Sequence, residues 1–173
     1  MTSEFSAPVL LTPTHNVAQF HSHSQEQNEW LVRHGVQSHR MGSTRSMVVC
    51  AQETSDVVAY YAWRMSEIDF DDAPPRLQVG SGKYEQPMAL IARLAVSVEH
   101  EGKGIGAALL RDAITRLVMI SAEIGCRGVC IVAADAQAKS FYQRVLPELI
   151  EAPSDPMMLV LLMKDARRTL LGE

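Results

Sequence analysis

Residues 91–124 read IARLAVSVEHEGKGIGAALLRDAITRLVMISAEI, and three glycines at alternate positions, Gly102, Gly104 and Gly106, divide the stretch in two. Before them, Ile91 to Val98 is an apolar run that predicts a buried strand. After them, Leu110, Ala113, Leu117, Ile120 and Ile124 recur at three- and four-residue steps. This predicts an amphipathic helix with those residues on its core face, Asp112 and Arg116 paired on its outer side and Gly125 as its stop. A glycine turn (Glu101 to Gly106) that runs into a helix start leaves backbone N–H groups unpaired, with the positive end of the helix dipole behind them. Such a site wants an anion, above all a pyrophosphate.

Outward from this unit, residues 1–14 carry two prolines and few charges and read as an extended lead-in. Ser24 and Gln27 have capping-box spacing, so a polar helix is expected from Gln25 to about Met41, with a thin apolar stripe through Trp30, Leu31 and His34 and a stop near Gly42. SMVVCAQ (46–52) and VVAYYAWRM (57–65) are β-branched and aromatic runs around a polar ETSD turn, which predicts a hairpin. Residues 66–86 read as a long loop with at most a short helical turn, before a strand at 87–98. Val129 to Ala134 predicts a short buried strand. Asp135 caps a helix from Ala136 to about Leu146, Met157 to Met163 forms a last strand, and KDARRTLLGE is a polar tail. The expected fold is α+β (α/β), a mixed central sheet flanked by helices on both faces. It forms one domain over residues 15–164, with 1–14 as lead-in and 165–173 as tail.

Composition narrows the function. With 173 residues, 47% hydrophobic and 21% charged, the chain can bury a core without staples. No apolar run reaches membrane-spanning length and no signal-peptide pattern opens the chain, so no membrane role and a cytoplasmic location are expected. Cys50, Cys126 and Cys130 read as reduced core thiols. The net charge of −4 argues against wholesale coating of nucleic acid. Even so, residues 31–52 hold Arg33, Arg40 and Arg45 with His34 and His39 and no acid, a local patch able to hold a polyanion. An acidic cluster follows at Glu67, Asp69, Asp71 and Asp72. The histidines show no zinc-ligand spacing, so no metal is expected. No Ser/His/Asp set or activated cysteine appears at a meaningful spacing, so a covalent enzyme intermediate is not favoured.

The glycine turn fits neither common nucleotide pattern. A Walker loop needs GxxxxGK followed by Ser or Thr, which is absent; a dinucleotide fold needs GxGxxG, whereas the spacing here is GxGxG. RLAVSVEHEGKGIGAALLRDA, followed by AxAKSFYQR, instead resembles the GNAT acyl-CoA N-acyltransferases. The FxxxSxxxNxWL pattern (Phe20, Ser24, Asn28, Trp30, Leu31) and the STRSMVVC and VVAYYAW strands are similar to the GNAT toxins of type II toxin–antitoxin operons. The similarity runs over roughly residues 15–164.

The resemblance implies acetyl-CoA as cofactor. Its pyrophosphate would sit on the turn at Glu101, Gly102, Lys103, Gly104, Ile105, Gly106 and Ala107, and its pantetheine arm along the backbone of Leu94, Ala95 and Val96. Asp135 and Phe141 are assigned to the same site. Tyr142 is the implied catalytic residue, protonating the departing thiolate. The sequence departs from the family twice. Position 101 is Glu where the family carries Gln or Arg, so its side chain must turn away from the phosphates. After FYQR, VLPEL replaces the usual Gly-Phe. For substrate, the resemblance implies the α-amine of aminoacyl-tRNA, with Arg33, Arg40, Arg45, Arg76 and Arg93 as candidates for tRNA phosphates; Arg93 is equally readable as structural. It further implies a ribbon-helix-helix antitoxin and a homodimer. Two other readings stay open: an ordinary GNAT enzyme acting on a small amine or protein lysine, and a coenzyme-binding module without catalysis.

Overall fold

Runs with strand and helix periodicity alternate along residues 3–173, the residues that the computed structural model describes. In chain order they are β1 (Val9–Leu10), α1 (Gln25–Trp30), a π-helical turn (Leu31–Gly35), α2 (Val36–Met41), β2 (Arg45–Cys50), β3 (Val57–Ile68), a 3-10 turn (Phe70–Asp72), α3 (Pro75–Gln78) and β4 (Gln86–Val96). A second 3-10 turn (Val98–His100), α4 (Ile105–Ile120), β5 (Gly128–Val132), α5 (Ala136–Val145), β6 (Ile150–Glu151), β7 (Met158–Leu162) and α6 (Met163–Leu171) follow. The sheet order is β1-β2-β3-β4-β5-β7-β6. It is mixed: β4 pairs β5 in parallel, while β1–β2, β2–β3, β5–β7 and β6–β7 are antiparallel. The architecture is thus α+β. Among the described residues no helix is long and apolar enough to cross a membrane.

The chain packs as two compact units, one made of the residues up to Arg64 with Ala92–Ala113, the other of Met65–Ile91 with Ile114–Glu173. In the first, Leu11, Phe20, Leu31, Val48, Cys50, Val57, Tyr60, Ala62 and Ala95 form the core. Tyr60 is its centre: Trp30 stacks on its ring at 6.1 Å, Phe20 meets it edge-on at 5.3 Å, and its hydroxyl donates to the Gln27 carbonyl at 2.8 Å. Burial raises the Tyr60 phenol far above its ordinary pKa, so it stays a donor. In the second unit, Ile68, Ala73, Leu77, Met88, Cys130, Ala152, Val160 and Leu162 pack together.

The expected hairpin is present, with Arg45 opposite Trp63 and a bulge at Val49/Cys50. Elsewhere the structure corrects the expectations. The helix from Gln25 is interrupted by the π turn, which inserts one residue and rotates the face that follows. The buried positions are therefore Asn28, Leu31 and Gly35, while His34 is exposed. Gly35 packs closely there: a Cβ would lie 3.2 Å from Leu31 Cδ1, so the leucine end would have to give by a few tenths of an ångström. The lead-in contributes β1, which pairs Val9 with Val48, and Leu11 is buried beyond it.

The segment expected as a loop from residue 66 is largely ordered: β3 continues to Ile68, and the Phe70–Asp72 turn and α3 bury Ala73 and Leu77. β4 ends at Val96, because Val98–His100 turns, tied by a 2.6 Å bond between Ser97 Oγ and His100 Nδ1. α4 ends at Ile120, where the Ser121 hydroxyl donates to the Val118 carbonyl, five residues ahead of the expected stop at Gly125. Its buried face is Leu109, Leu110, Ala113, Ile114, Leu117 and Val118, and Ile120 and Ile124 are exposed. The parallel crossover rule holds for β4–α4–β5. β5 and β7 are antiparallel instead, because α5 leads into β6, which runs in the direction of β5, and the chain then turns back into β7.

The polar tail is α6. Arg76 of α3 donates two hydrogen bonds, at 2.7 and 2.9 Å, to the carboxylate of Asp165, which is 3% exposed. Arg167 reaches Ser121 Oγ at 2.8 Å. The hydrogen bonds and charge of Arg76 hold the Asp165 carboxyl below the usual carboxylate range. A carboxyl whose pKa is lowered on folding stabilises the fold above its unfolded pKa, and that contribution is lost as pH falls through its folded value. Arg76→Ala is accordingly expected to lower the urea midpoint at pH 7, and the gap to wild type should be narrower at about pH 3, below the unfolded carboxyl's value of about 3.9. Urea titrations at the two pH values check it.

Candidate coenzyme site

The glycine turn adopts backbone angles that side chains resist: Gly102 has φ +74° and Gly104 φ +80°. α4 begins at Ile105, and its first intrahelical bond runs from Ala108 N–H to the Gly104 carbonyl at 3.0 Å. The N–H groups of Ile105, Gly106 and Ala107 therefore precede the helical ladder, at the positive end of a 16-residue helix. Gly102, Lys103 and Gly104 are exposed beside them. Converging amides, small residues and a helix dipole suit a pyrophosphate, so the turn fits the group.

Both charged side chains of the turn are engaged. Glu101 accepts from, or pairs with, His23 Nε2 at 3.1 Å. Lys103 pairs with Glu4 at 3.1 Å and sits 5.3 Å over the Phe5 ring. Upstream, Ala95 is buried while Leu94 and Val96 are half-buried, and Ser97 N–H donates to the Val58 carbonyl at 2.8 Å. The parallel ladder between β4 and β5 runs from Met88↔Gly128 to Ile91↔Ile131, and β4 continues past it to Val96.

In the second unit, Asp135 caps α5 by accepting from Ala138 N–H at 2.7 Å. Tyr142, in the middle of α5, is 7% exposed. Burial, aided by the Asp135 charge, pushes its phenol up to about 12, so it carries its proton throughout the physiological range. Phe141, half-buried, lies beside it with ring centroids 5.4 Å apart. The thiols offer no alternative nucleophile: burial, then proximity to Cys126, pushes Cys130 up to about 11, and burial raises Cys50 and Cys126 as well. Among the described residues no three His, Cys, Asp or Glu are grouped to hold a metal ion.

The five arginines divide. Arg33 and Arg40 are exposed on the first helical segment, and Arg45 is exposed while donating to the His39 carbonyl at 3.0 Å. Arg76 is committed to Asp165 in the second unit, and Arg93 is half-buried, bonded to Glu26 at 3.1 Å and stacked 4.9 Å over Trp30. Arg76 is thus held by the buried Asp165 carboxylate, and Arg93 by the Trp30 face and the exposed Glu26, so both guanidiniums have structural partners. His39 also leaves the basic patch: burial, then the Arg45 charge, lowers its pKa, and its Nδ1 accepts the Ser46 N–H at 3.1 Å.

Residue reasoning missed the support beneath the turn. Asn28 Oδ1 accepts from Ser22 N–H at 2.8 Å and Ser22 Oγ at 2.7 Å, and the His21 carbonyl accepts from Val98 N–H at 2.8 Å. The signal was present, since Asn28 belongs to the FxxxSxxxNxWL pattern.

Comparison with known proteins agrees with this geometry. Residues 44–145 match the family model described as an acetyltransferase (GNAT) domain. A protein of Mycobacterium tuberculosis described as a tRNA-acetylating toxin is 34% identical over 171 residues, covering 99% of this chain and 99% of the relative. Two solved structures share the fold. A tyrosine-to-phenylalanine variant of KacT superposes with TM-score 0.89 at 18% identity, over 97% of this chain and 100% of that one. AtaT complexed with acetyl-methionyl-tRNAfMet superposes with TM-score 0.87 at 21% identity, over 95% and 98%. With the coenzyme turn, the sheet and the full-length likeness in agreement, the chain belongs to the GNAT acetyltransferases.

Proposed function

We propose that this protein transfers an acetyl group from acetyl-CoA to the α-amine of aminoacyl-tRNA and thereby stops translation as a toxin. The observation that carries the reading is the end-to-end likeness to a relative described as a tRNA-acetylating toxin. The exposed Arg33, Arg40 and Arg45 support it, because a polyanionic acceptor needs cations on an otherwise acidic chain.

Acetyl-CoA supplies an acetyl group activated as a thioester. The amides of the Gly102–Ala107 turn would hold its pyrophosphate, with Lys103 able to exchange Glu4 for a phosphate. The backbone of Leu94 and Val96, past the end of the β4–β5 ladder, would pair with the pantetheine amides as an added strand. Tyr142 would donate its proton to the departing sulfur as the substrate nitrogen closes its bond to the acetyl carbon and the carbon–sulfur bond breaks. The phenolate recovers a proton from the nitrogen by way of solvent, so an N–H has been exchanged for an S–H overall. The attacking α-amine, with a pKa of about 8 or lower, is partly neutral at pH 7 and needs no strong base.

A small antitoxin with a ribbon-helix-helix part, and a homodimer, complete the reading. Support for the antitoxin comes from AtaT, whose structure bound to the C-terminus of the antitoxin AtaR superposes with TM-score 0.82 at 20% identity over 98% of this chain and 99% of that one.

In a cell-free translation system, the protein is expected to halt synthesis only when acetyl-CoA is added. Unaffected synthesis, or inhibition without acetyl-CoA, contradicts the reading. Replacing Arg33, Arg40 and Arg45 together by Ser is expected to weaken tRNA binding at every sequence and to reduce the salt slope of log K by roughly 2–3. Filter binding across a salt series measures it.

A further inference from the structure

Glu101 stands where the family carries Gln or Arg, immediately before the glycine turn. A free carboxylate at that place is an intramolecular rival for the coenzyme. It is an anion within reach of a helix N-terminus, attracted by the same amides and dipole that the pyrophosphate needs. In the structure its Oε2 lies 3.1 Å from His23 Nε2.

His23 is itself held in place. Its neighbour Ser22 is buried and bonded through both N–H and Oγ to Asn28, whose amide returns a 3.1 Å bond to the Ser22 carbonyl. On its other side Ser24 caps α1 through Gln27 N–H, and the His21 carbonyl accepts from Val98 N–H at the base of the turn. All of these anchors except Val98 precede residue 44, where the match to the family domain begins.

We propose that His23 is a positioning residue for coenzyme binding, which holds the Glu101 carboxylate and so keeps it from swinging onto the turn amides. The proposal rests on the coenzyme reading of that turn. Both side chains are substantially exposed, at 73% and 44%, so the pair adds little to stability and His23 can be replaced without unfolding the protein.

The test is acetyl-CoA binding by isothermal titration to the full-length wild type and to H23A, H23Q, E101Q and H23A/E101Q. H23A is expected to bind about five- to tenfold more weakly, the scale of one released charge near a surface anion site, with the loss shrinking at high salt. H23Q, which keeps a donor, should stay within about twofold of wild type. E101Q should bind at least as tightly as wild type, and the double variant should match E101Q, because His23 acts only through Glu101. An H23A affinity equal to wild type, or the same loss from H23A in the E101Q background, would overturn the proposal while leaving the coenzyme reading intact. A folded wild type that binds no acetyl-CoA would overturn both.

Discussion

Tyr142→Phe is expected to lower kcat for acetyl transfer by about 10²-fold or more, while acetyl-CoA affinity and Tm stay close to wild type. The substitution removes one hydroxyl from a side chain that is 7% exposed and leaves the ring that packs in α5. Nothing larger than an oxygen is lost, so the fold should persist. The chemistry should not. Without a proton donor the sulfur must leave as a free thiolate, a costlier leaving group than the neutral thiol. Because burial raises the Tyr142 phenol to about 12, its deprotonation cannot shape the pH profile of kcat below about pH 11. The profile should instead rise through the pKa of the attacking amine. Stopped-flow thiol release for both proteins measures the first expectation, and steady-state rates between pH 6 and 9 the second. A Tyr142→Phe enzyme within threefold of wild type would remove Tyr142 from proton transfer.

Gly128→Ala is expected to produce the largest loss of stability, about 3 kcal/mol, or a fall in Tm of roughly 6–12 °C. Gly128 is the first residue of β5 and pairs with Met88 on one side and Leu162 on the other. A Cβ there would collide with the Leu161 carbonyl oxygen and lie 2.9 Å from Met88 Cε. The methionine end can move aside, but the carbonyl belongs to the β5–β7 ladder and can yield only if the strands part. By contrast, Gly125 faces open space, and Gly125→Ala should leave Tm unchanged. Thermal unfolding of the two variants makes the comparison, and equal Tm values would refute this account of the sheet.

The glycine turn and the Asp135 cap were legible in the sequence because each is a local motif: positive-φ glycines before a helix, and an acid three residues ahead of the N–H it caps. Family resemblance supplied the roles proposed for Tyr142 and Leu94, which no spacing could have given. What escaped were features decided by partners distant in the chain. Arg76 looked like a phosphate contact until α6 placed Asp165 against it, and the tail looked merely polar because its bonded residues, Asp165 and Arg167, are charged. His34 lost its place on the apolar stripe to a π turn, whose extra residue leaves no mark in the residue pattern. Glu101 stood out as an anion in the wrong place, yet its partner lies 78 positions away in sequence.

The central claim is that the acceptor is the amine of a charged tRNA. The purified protein should be mixed with ¹⁴C-acetyl-CoA and with aminoacyl-tRNA, or with the same tRNA stripped of its amino acid. Label should enter only the charged tRNA and should be recovered, after mild alkaline hydrolysis of the ester, as N-acetyl amino acid. Label on stripped tRNA, or label found only on protein lysines or small amines, would contradict the account.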